Sequence, residues 1–332
     1  CSNNGIICRE GICYLKVGRT YTNPIISDKS VPDPTVVRAN DGHFYLYATQ
    51  TSTYWMPIYR SKDLVNWEYQ KTAFTQATKP SLSGGGAFWA PEMQYINGKY
   101  VLYFSWAKMN GADVSYTAVA VSDSPLGPFP NSKALITNEE FGSNAIDQFY
   151  YEENGKKYMF FGSFKGIYVT ELTDDGLSVK RDAKGKPVLK KQICGNLFEG
   201  TNIYKKNGYY YLFASIGNCC NGVNSSYKVV VGRSQDLLGP YVDKKGKSML
   251  DNSWELVLEG DGQKWIGPGH NSIIIQDDEG TDWMIYMKDA KGGVGGRLGM
   301  LDRVLWTNDG WPYIKNYIPS NSGLIPVFNS NK

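Results

Sequence analysis

One arrangement of apolar and polar positions recurs five times along the chain. In each copy a polar residue opens an apolar strand, a glycine turn follows, and an aromatic strand returns, as in FEGTNIYKKNGYYYLFASI from Phe198 to Ile216. Two such strands joined by Asn-Gly or Asp-Gly are typical of a β-hairpin. The five turn glycines are Gly42, Gly98, Gly155, Gly208 and Gly280.

The spacing of these hairpins predicts an all-β chain folded as a five-bladed β-propeller. The turn glycines lie 56, 57, 53 and 72 residues apart, and repeats of about 40 to 50 residues built from short strands are typical of propeller blades. A second repeat, Ser-x-Asp-Leu or a close variant, follows three hairpins and is expected where the third strand ends. We expect an extended lead-in over residues 1–20 and a single propeller domain over 21–332. An insertion between Val242 and Trp265 would account for the longest interval.

Polar and aromatic residues open the first strand of every blade, eight to ten residues before the turn glycine. They are Asp33, Trp89, Asp147, Glu199 and His270. Since the first strands line the axis of a propeller, these side chains should surround one opening. Charged side chains are seldom buried unless they are paired, so an ion-pair network is the alternative to a functional site. Neither Asp33 nor Glu199 has a basic partner in its own strand, which favours function.

Three carboxylates at one opening suit glycoside hydrolysis. That reaction needs one carboxylic acid to protonate the leaving oxygen and a second, ionised carboxylate to activate water or to attack carbon. A third acid nearby can keep the proton on the first, because like charges raise each other's pKa. Trp89 and Trp106 are candidates for stacking on a sugar ring, although most aromatic residues in strands serve packing.

Composition narrows the class of partner. The 332 residues carry a net charge of +3 with both signs interspersed, so nucleic acid is not an expected partner. No stretch of 18 apolar residues is present, and no transmembrane helix is expected. The chain begins with Cys1 and a polar stretch, as a mature bacterial lipoprotein does. A lipid anchor at Cys1 and a secreted or cell-surface location are therefore one interpretation, and an incidental boundary is the other.

Six cysteines give no zinc pattern, since no Cys-x-x-Cys is present and the chain has two histidines. Cys8 and Cys13 are close enough to bridge a small N-terminal loop. Cys219 and Cys220 are adjacent and could form a vicinal disulfide. Free thiols are the alternative for both pairs.

Motifs in every blade resemble the five-bladed glycoside hydrolases of family 43, and most of all their endo-1,5-α-L-arabinanases. The resemblance covers about residues 21 to 318. It rests on PDPTVV, WAPE, NAID with GSF, EGTNIY, CCNGVNSSY with VGRS, GPGHNS and DGWP. It implies an inverting enzyme that cleaves α-1,5-linked L-arabinan, a pectin side chain, and that is expected to be endo-acting.

The same resemblance assigns roles to individual residues. It implies that Asp33 is the general base, that Asp147 tunes the pKa values and orients, and that Glu199 is the general acid. It also implies that His270 lies beside a bound metal, often calcium, with waters as most of its ligands. Positions expected to contact the substrate are Trp89, which matches a residue that stacks on the sugar, together with Asn144 and Ser163.

Two departures from the family pattern keep other activities open. Pro32 replaces a histidine that often precedes the first Asp, and Gln148 with Phe149 replaces a proline that usually follows the third-blade Asp. A bulkier residue there could narrow the cleft, which keeps an exo-arabinanase or α-L-arabinofuranosidase open. A β-xylosidase or xylanase of the same family is a further alternative. The motifs of invertases and levansucrases are missing, and the three acids disfavour a non-catalytic sugar-binding propeller.

Overall fold

A computed structural model describes residues 6–9, 12–15, 18–108, 111–290 and 296–329. Five antiparallel sheets form the blades of a five-bladed β-propeller, so the predicted fold class is confirmed. Within each sheet the strands follow chain order from the inner to the outer edge, which is the arrangement expected from successive hairpins. Cys1 and the side chains of Cys8 and Cys13 lie outside the described part, so the predictions for them remain predictions.

The strand boundaries follow the repeat. Before the first blade come β1 (Ile6–Arg9), β2 (Ile12–Leu15) and β3 (Thr20–Thr22). Blade 1 contains β4 (Thr35–Arg38), β5 (Phe44–Tyr47), β6 (Pro57–Ser61) and β7 (Glu68–Thr72). Blade 2 contains β8 (Ala87–Ile96), β9 (Lys99–Lys108), β10 (Gly111–Ser122) and β11 (Lys133–Thr137). Blade 3 contains β12 (Phe149–Glu153), β13 (Lys156–Phe161), β14 (Ile167–Leu172) and β15 (Lys191–Cys194).

The second half of the chain completes the ring. Blade 4 contains β16 (Glu199–Lys206), β17 (Tyr209–Ile216), β18 (Lys228–Ser234) and β19 (Glu255–Leu258). Blade 5 contains β20 (Ile266–Gly269), β21 (Ile275–Gln276), β22 (Asp282–Asp289), β23 (Arg297–Trp306) and β24 (Pro312–Tyr313), and β25 (Ser322–Leu324) follows it. The helical elements are α1 (Asn138–Phe141) and three 3₁₀ turns, Gly222–Asn224, Met249–Asp251 and Lys315–Tyr317. In the described ranges no helix has the length and apolar character needed to cross a membrane.

The hairpin turns form where the sequence predicts them. All five turn glycines have φ between 73° and 81°, a left-handed conformation that glycine adopts without steric cost. Three of them follow an asparagine at φ 50–52°, as a type I′ turn requires. The positive φ at both central residues matches the twist of the flanking strands and fixes their register.

The Ser-x-Asp-Leu repeat marks the end of the third strand, as predicted. Ser61 ends β6, and its hydroxyl accepts a hydrogen bond from the N–H of Asp63 (3.1 Å). Blades 3 and 5 lack the Ser-x-Asp-Leu sequence and have threonine in place of the serine. Thr173 donates to the Asp175 carboxylate at 2.6 Å, and Thr307 begins the equivalent turn in blade 5. These side-chain hydrogen bonds replace the strand ladder where the chain turns away.

The core lies between neighbouring blades. Each of five apolar clusters joins one blade to the next, including the pair formed by blades 5 and 1. Between blades 1 and 2, for example, Phe74 and Phe88 stack at 4.4 Å. The aromatic strands therefore serve mainly to pack one blade on its neighbour, which fixes the positions of the first strands around the axis.

The N-terminal segment closes the ring by pairing with blade 5. Ile25 N–H donates to the Gly299 carbonyl at 2.9 Å, and Val31 N–H donates to the Arg297 carbonyl at 2.8 Å. β3 pairs with β25 nearby. This closure brings the start of blade 1 against β23, although about 270 residues of chain lie between them.

Two predicted segments differ in detail from the structure. The lead-in, expected to be extended, contains the antiparallel pair β1 and β2. The stretch between Val242 and Trp265, expected to be an insertion, supplies β19, the outer strand of blade 4. Both contain too few alternating residues for the pattern to indicate a strand, and pairing with a neighbouring strand stabilises them.

Candidate active site

Every blade has a residue in the left-handed conformation within or close to its first strand, and these five residues surround the axis. Their φ angles are 49° at Asp33, 29° at Ala90, 56° at Asp147, 58° at Gly200 and 44° at His270. Non-glycine residues adopt positive φ rarely, and such strain is often found at functional sites. In blades 2 and 4 the left-handed residues are Ala90 and Gly200, one position after the predicted Trp89 and Glu199. Trp89 and Glu199 directly precede the residue equivalent to Asp33.

Hydroxyl groups on the preceding blade hold three of these strained residues. The backbone N–H groups of Ala90, Asp147 and His270 donate to the side-chain oxygens of Thr49 (2.6 Å), Ser105 (3.0 Å) and Ser215 (2.8 Å). Each acceptor lies seven residues after a turn glycine. The sequence shows a hydroxyl residue at this constant distance in three blades. These hydrogen-bond acceptors could therefore have been predicted from the sequence.

The Asp33 carboxylate is held in its ionised form. Its Oδ1 lies 3.1 Å from Nη1 of Arg297 and 3.2 Å from Nδ1 of His270, and its Oδ2 accepts a hydrogen bond from Thr49 at 2.6 Å. Burial opposes ionisation, but the charges of Arg297 and His270 and these hydrogen bonds outweigh it. They hold the pKa of Asp33 well below its usual range. A carboxylate that is ionised at every working pH fits a general base.

Glu199 lies in a different environment. Its side chain is buried, and its two oxygens accept hydrogen bonds from the hydroxyls of Tyr227 (2.5 Å) and Ser163 (2.7 Å). Burial raises the pKa of Glu199, and the Asp33 charge adds to the effect, while the two hydroxyls and His270 oppose it. The pKa values of the two acids are therefore shifted in opposite directions, as a general acid and a general base require.

Asp147 is buried, and its carboxyl group interacts electrostatically with those of Asp33 and Glu199. Burial, together with the charges of Glu199 and Asp33, raises the pKa of Asp147 to about 8, although His270 acts against this. The backbone N–H of Gly200 donates to its carboxylate. Because Asp147 interacts with both other acids, their protons are released as a coupled set.

His270 completes the cluster. Burial opposes its charged form, but Asp33, Asp147 and Glu199 outweigh it and raise the pKa of His270 to about 9. Among the described residues, no group of three or more His, Cys, Asp or Glu side chains is arranged to hold a metal. Calcium prefers six to eight oxygen ligands, which a single imidazole does not supply. The described side chains therefore do not form a calcium cage.

The predicted substrate-contact residues divide into two groups. Ser163 contacts Glu199, and Asn144 donates through Nδ2 to the Ser163 carbonyl at 2.6 Å, so Asn144 lies at the same edge of the site. Trp89 is half-buried beside the ring of left-handed residues. Their contacts with substrate remain predictions.

Trp106 does not line the opening, so the prediction that it stacks on a sugar is wrong. Its side chain is 2% exposed and packs edge-on against Phe88 with ring centroids 5.0 Å apart. Its Nε1 donates to the Leu82 carbonyl at 3.2 Å. Gly85 lies so close that an added Cβ would be 1.9 Å from Nε1. Trp106 belongs to the core between blades 1 and 2, and Gly85 lies against its ring.

Gln148 and Phe149 do not narrow the cleft, which corrects the expectation drawn from their size. Gln148 is 5% exposed and points between blades 2 and 3, where its Nε2 donates to the Ala90 carbonyl at 2.5 Å. Its Oε1 accepts from Ser105 at 3.1 Å. Phe149 is buried in the core between blades 3 and 4. Gln148 thus bonds to Ser105, whose hydroxyl oxygen accepts a hydrogen bond from the Asp147 N–H.

Three residues that contact the predicted catalytic acids lay outside the sequence prediction. Thr49 and Arg297 contact Asp33, and Tyr227 contacts Glu199. Arg297 is 264 positions from Asp33 in the chain, so no local pattern could connect them. The adjacent Cys219 and Cys220 form a vicinal disulfide, as the sequence allowed, and Cys194 is a buried free thiol.

Comparisons with known proteins point to one family. The family model "Glycosyl hydrolases family 43" matches residues 21–312. The chain is 32% identical to an extracellular endo-alpha-(1->5)-L-arabinanase of Bacillus subtilis, covering 86% of this chain and 88% of that protein. It is also 32% identical to an extracellular exo-alpha-(1->5)-L-arabinofuranosidase of Cellvibrio japonicus, covering 86% of both.

A solved structure is similar over nearly the whole propeller. The structure of Cellvibrio cellulosa alpha-L-arabinanase with arabinohexaose shares 29% identity and a TM-score of 0.71, covering 89% of this chain and 99% of that chain. A family match over most of the chain, together with three acids at the propeller axis whose pKa values are shifted in different directions, gives one conclusion. The chain belongs to the family 43 glycosyl hydrolases.

Proposed function

We propose that this enzyme hydrolyses α-1,5-linked L-arabinan by inversion, with endo action. The observation that supports this most strongly is the difference between two acids at one opening. Arg297 and His270 hold the pKa of Asp33 well below its usual range, while burial raises the pKa of Glu199. An inverting glycosidase needs this pair, because its base activates water while its acid protonates the leaving oxygen.

The proposed mechanism assigns one proton transfer to each acid. Asp33 accepts a proton from a water that attacks the anomeric carbon. Glu199 gives its proton to the departing sugar oxygen, and the hydroxyls of Tyr227 and Ser163 keep its carboxyl group oriented. Asp147 contacts neither proton in this scheme. It acts on the pKa values of the other two acids, as the coupling of the three carboxylates supports.

The substrate assignment rests on the similarity to arabinanases, and a relative described as an endo-arabinanase favours endo action. Incubating the protein with debranched linear arabinan and separating the products tests it. We expect a ladder of short oligosaccharides from the earliest time points. A single mono-, di- or trisaccharide from the start would establish an exo enzyme instead. Failure to cleave arabinan, with cleavage of xylan or an aryl xyloside, would overturn the substrate and keep the catalytic assignment.

Two further parts of the proposal concern the environment of the protein. Relatives described as extracellular support a secreted enzyme, and a lipid anchor at Cys1 stays a prediction that mass spectrometry of the purified native protein tests. A metal held by His270 and waters also stays a prediction. Elemental analysis of the protein before and after His270→Ala, without added chelator, tests it, and an equal metal content in both would contradict it.

Replacing Asp147 with asparagine should move the basic limb of the pH–rate profile to lower pH and leave the acidic limb in place. The pKa of Asp147 is raised to about 8, so its negative charge opposes ionisation of Glu199 only above that pH, and removing this charge lowers the pKa of Glu199. The basic limb reports loss of the proton from Glu199, whereas Asp33 titrates at a pH where Asp147 is uncharged. The measurement is kcat/KM against pH on arabino-oligosaccharides. A profile in Asp147→Asn that coincides with the wild-type profile would show that Asp147 has no tuning role.

A further inference from the structure

One loop reaches both proposed catalytic acids. Residues 217–227 join β17 to β18, and at the end of this loop the Tyr227 hydroxyl donates to Glu199. In its middle, the bonded pair Cys219 and Cys220 lies against the guanidinium of Arg297. Nη1 of Arg297 is 3.4 Å from Sγ of Cys220 and 4.0 Å from Sγ of Cys219. The inference developed below rests on the proposed function, because it concerns the base of that reaction.

Among the described residues, Asp33 supplies the carboxylate within hydrogen-bond distance of Arg297. Nη1 of Arg297 lies 3.1 Å from Oδ1 of Asp33, and sulfur atoms also lie close to it, including Sδ of Met287 at 3.6 Å. The Asp289 carboxylate interacts with Arg297 electrostatically. Sulfur is a weak hydrogen-bond acceptor. The sulfur atoms therefore confine the guanidinium without competing for its hydrogen bonds. Its side chain is only 18% exposed, so water has little access to the pair.

The loop has anchors that do not depend on the disulfide. The Asp289 carboxylate accepts a hydrogen bond from the Cys220 N–H. Asn218 N–H donates to the Ser226 hydroxyl at 2.9 Å, and Ser225 donates to the Asn218 carbonyl at 2.7 Å. The backbone of the loop is thus held at several points. The disulfide adds a constraint on the two side chains, which as separate thiols would rotate independently among their rotamers.

We propose that the Cys219–Cys220 disulfide positions Arg297, and that Arg297 in turn orients the Asp33 carboxylate, so that full activity requires the oxidised pair. Arg297 and the two cysteines are positioning residues, because none of them exchanges a proton with substrate. A dithiol such as dithiothreitol would break the S–S bond. The bond takes up two electrons and two protons to give two thiols, and the dithiol becomes a cyclic disulfide.

The test compares the double variant Cys219→Ser/Cys220→Ser with the wild-type enzyme on linear arabino-oligosaccharides. We expect kcat to fall by about 10- to 100-fold, because a small displacement of a catalytic group has effects of this size. KM should stay within about twofold, since the loss falls on the chemical step. Dithiothreitol should lower kcat of the wild type towards the same value and leave the double variant unchanged.

Three controls separate positioning from a general loss of structure. The variant Cys8→Ser/Cys13→Ser should keep the response to dithiothreitol, which assigns the response to Cys219 and Cys220. The thermal midpoint of the double variant is measured alongside its kinetics. At position 297, Arg297→Lys keeps the positive charge and should retain more kcat than Arg297→Met. A wild-type kcat in the double variant, or a loss confined to KM, would overturn the proposal.

A second measurement does not depend on the substrate. The side-chain ¹⁵N–¹H signals of Arg297, assigned with Arg297→Lys, report how freely its guanidinium rotates. We expect resolved Nη signals in the oxidised enzyme and averaged signals after reduction. Resolved signals in both states would overturn the positioning role even if arabinan proves to be the wrong substrate. An active wild-type enzyme with an unaffected double variant would reject the positioning role and keep the proposed function.

Discussion

Replacing Glu199 with glutamine should lower kcat on linear arabinan by about 10²- to 10⁴-fold, the usual contribution of a general acid or base. Glutamine keeps the size of the side chain and can still bond to Tyr227 and Ser163, but it carries no proton that it can transfer. Binding should persist, because the substrate-contacting surface is unchanged. Calorimetric titration with arabinohexaose measures the binding, and product release measures the rate.

The role of Glu199 as an acid has a sharper signature than the loss itself. A nitrophenyl arabino-oligoside has a leaving group that departs without protonation, so Glu199→Gln should retain far more of its activity on that substrate than on arabinan. The matched control is Glu153→Gln, which removes a carboxylate that pairs with Lys205 at the turn end of the first hairpin in blade 3. Equal losses on both substrates would contradict the acid role, and unchanged activity on arabinan would reject Glu199 altogether.

Replacing Asp33 with asparagine should cause a loss of the same order, about 10²- to 10⁴-fold in kcat, but independent of the leaving group. The base activates the attacking water whatever sugar or phenol departs. The variant also leaves the positive charges of Arg297 and His270 without their anionic partner, so a lower thermal midpoint is expected. Rates on arabinan and on the nitrophenyl substrate, measured with the same enzyme preparation, give the comparison.

The control for Asp33 is Asp41→Asn, at the turn end of the same hairpin, where Asp41 accepts hydrogen bonds from His43 and Tyr45. It should leave kcat unchanged on both substrates. Recovery of activity by Asp33→Asn on the nitrophenyl substrate alone would indicate that Asp33 assists the leaving group and would exchange the two assignments.

The hairpin repeat could be predicted from the sequence because its signals are local. A turn glycine at positive φ and alternating aromatic strands determine each hairpin within about 20 residues, and five such hairpins determine the propeller. The repeat also placed Asp33, Asp147 and Glu199 at the start of first strands, where the structure brings them to one opening. The position of the third-strand turns was predictable for the same reason, with Thr173 and Thr307 missed only because they replace serine.

Contacts between blades were decided by the tertiary structure. Trp106 and Trp89 both lie in blade 2 and look alike as strand aromatics, yet packing against blade 1 and Gly85 buries Trp106 and leaves Trp89 half-exposed. Gln148 likewise points into the gap between blades, which its sequence neighbours do not indicate. Which face of a strand meets a neighbouring blade depends on ring geometry, and a local pattern carries no information about it.

The pKa values of the carboxyl groups also depended on the fold. The sequence by itself determined a five-bladed propeller with three carboxyl groups at its axis. Only the tertiary structure decided which of them is ionised, because a pKa responds to burial and to charges within a few ångströms. Closure of the ring brings Arg297 of blade 5 to Asp33 of blade 1, and a loop of blade 4 brings Tyr227 to Glu199. Arg297 comes from a distant segment, so the low pKa of Asp33 depends on closure of the ring, whereas Tyr227 reaches Glu199 within blade 4.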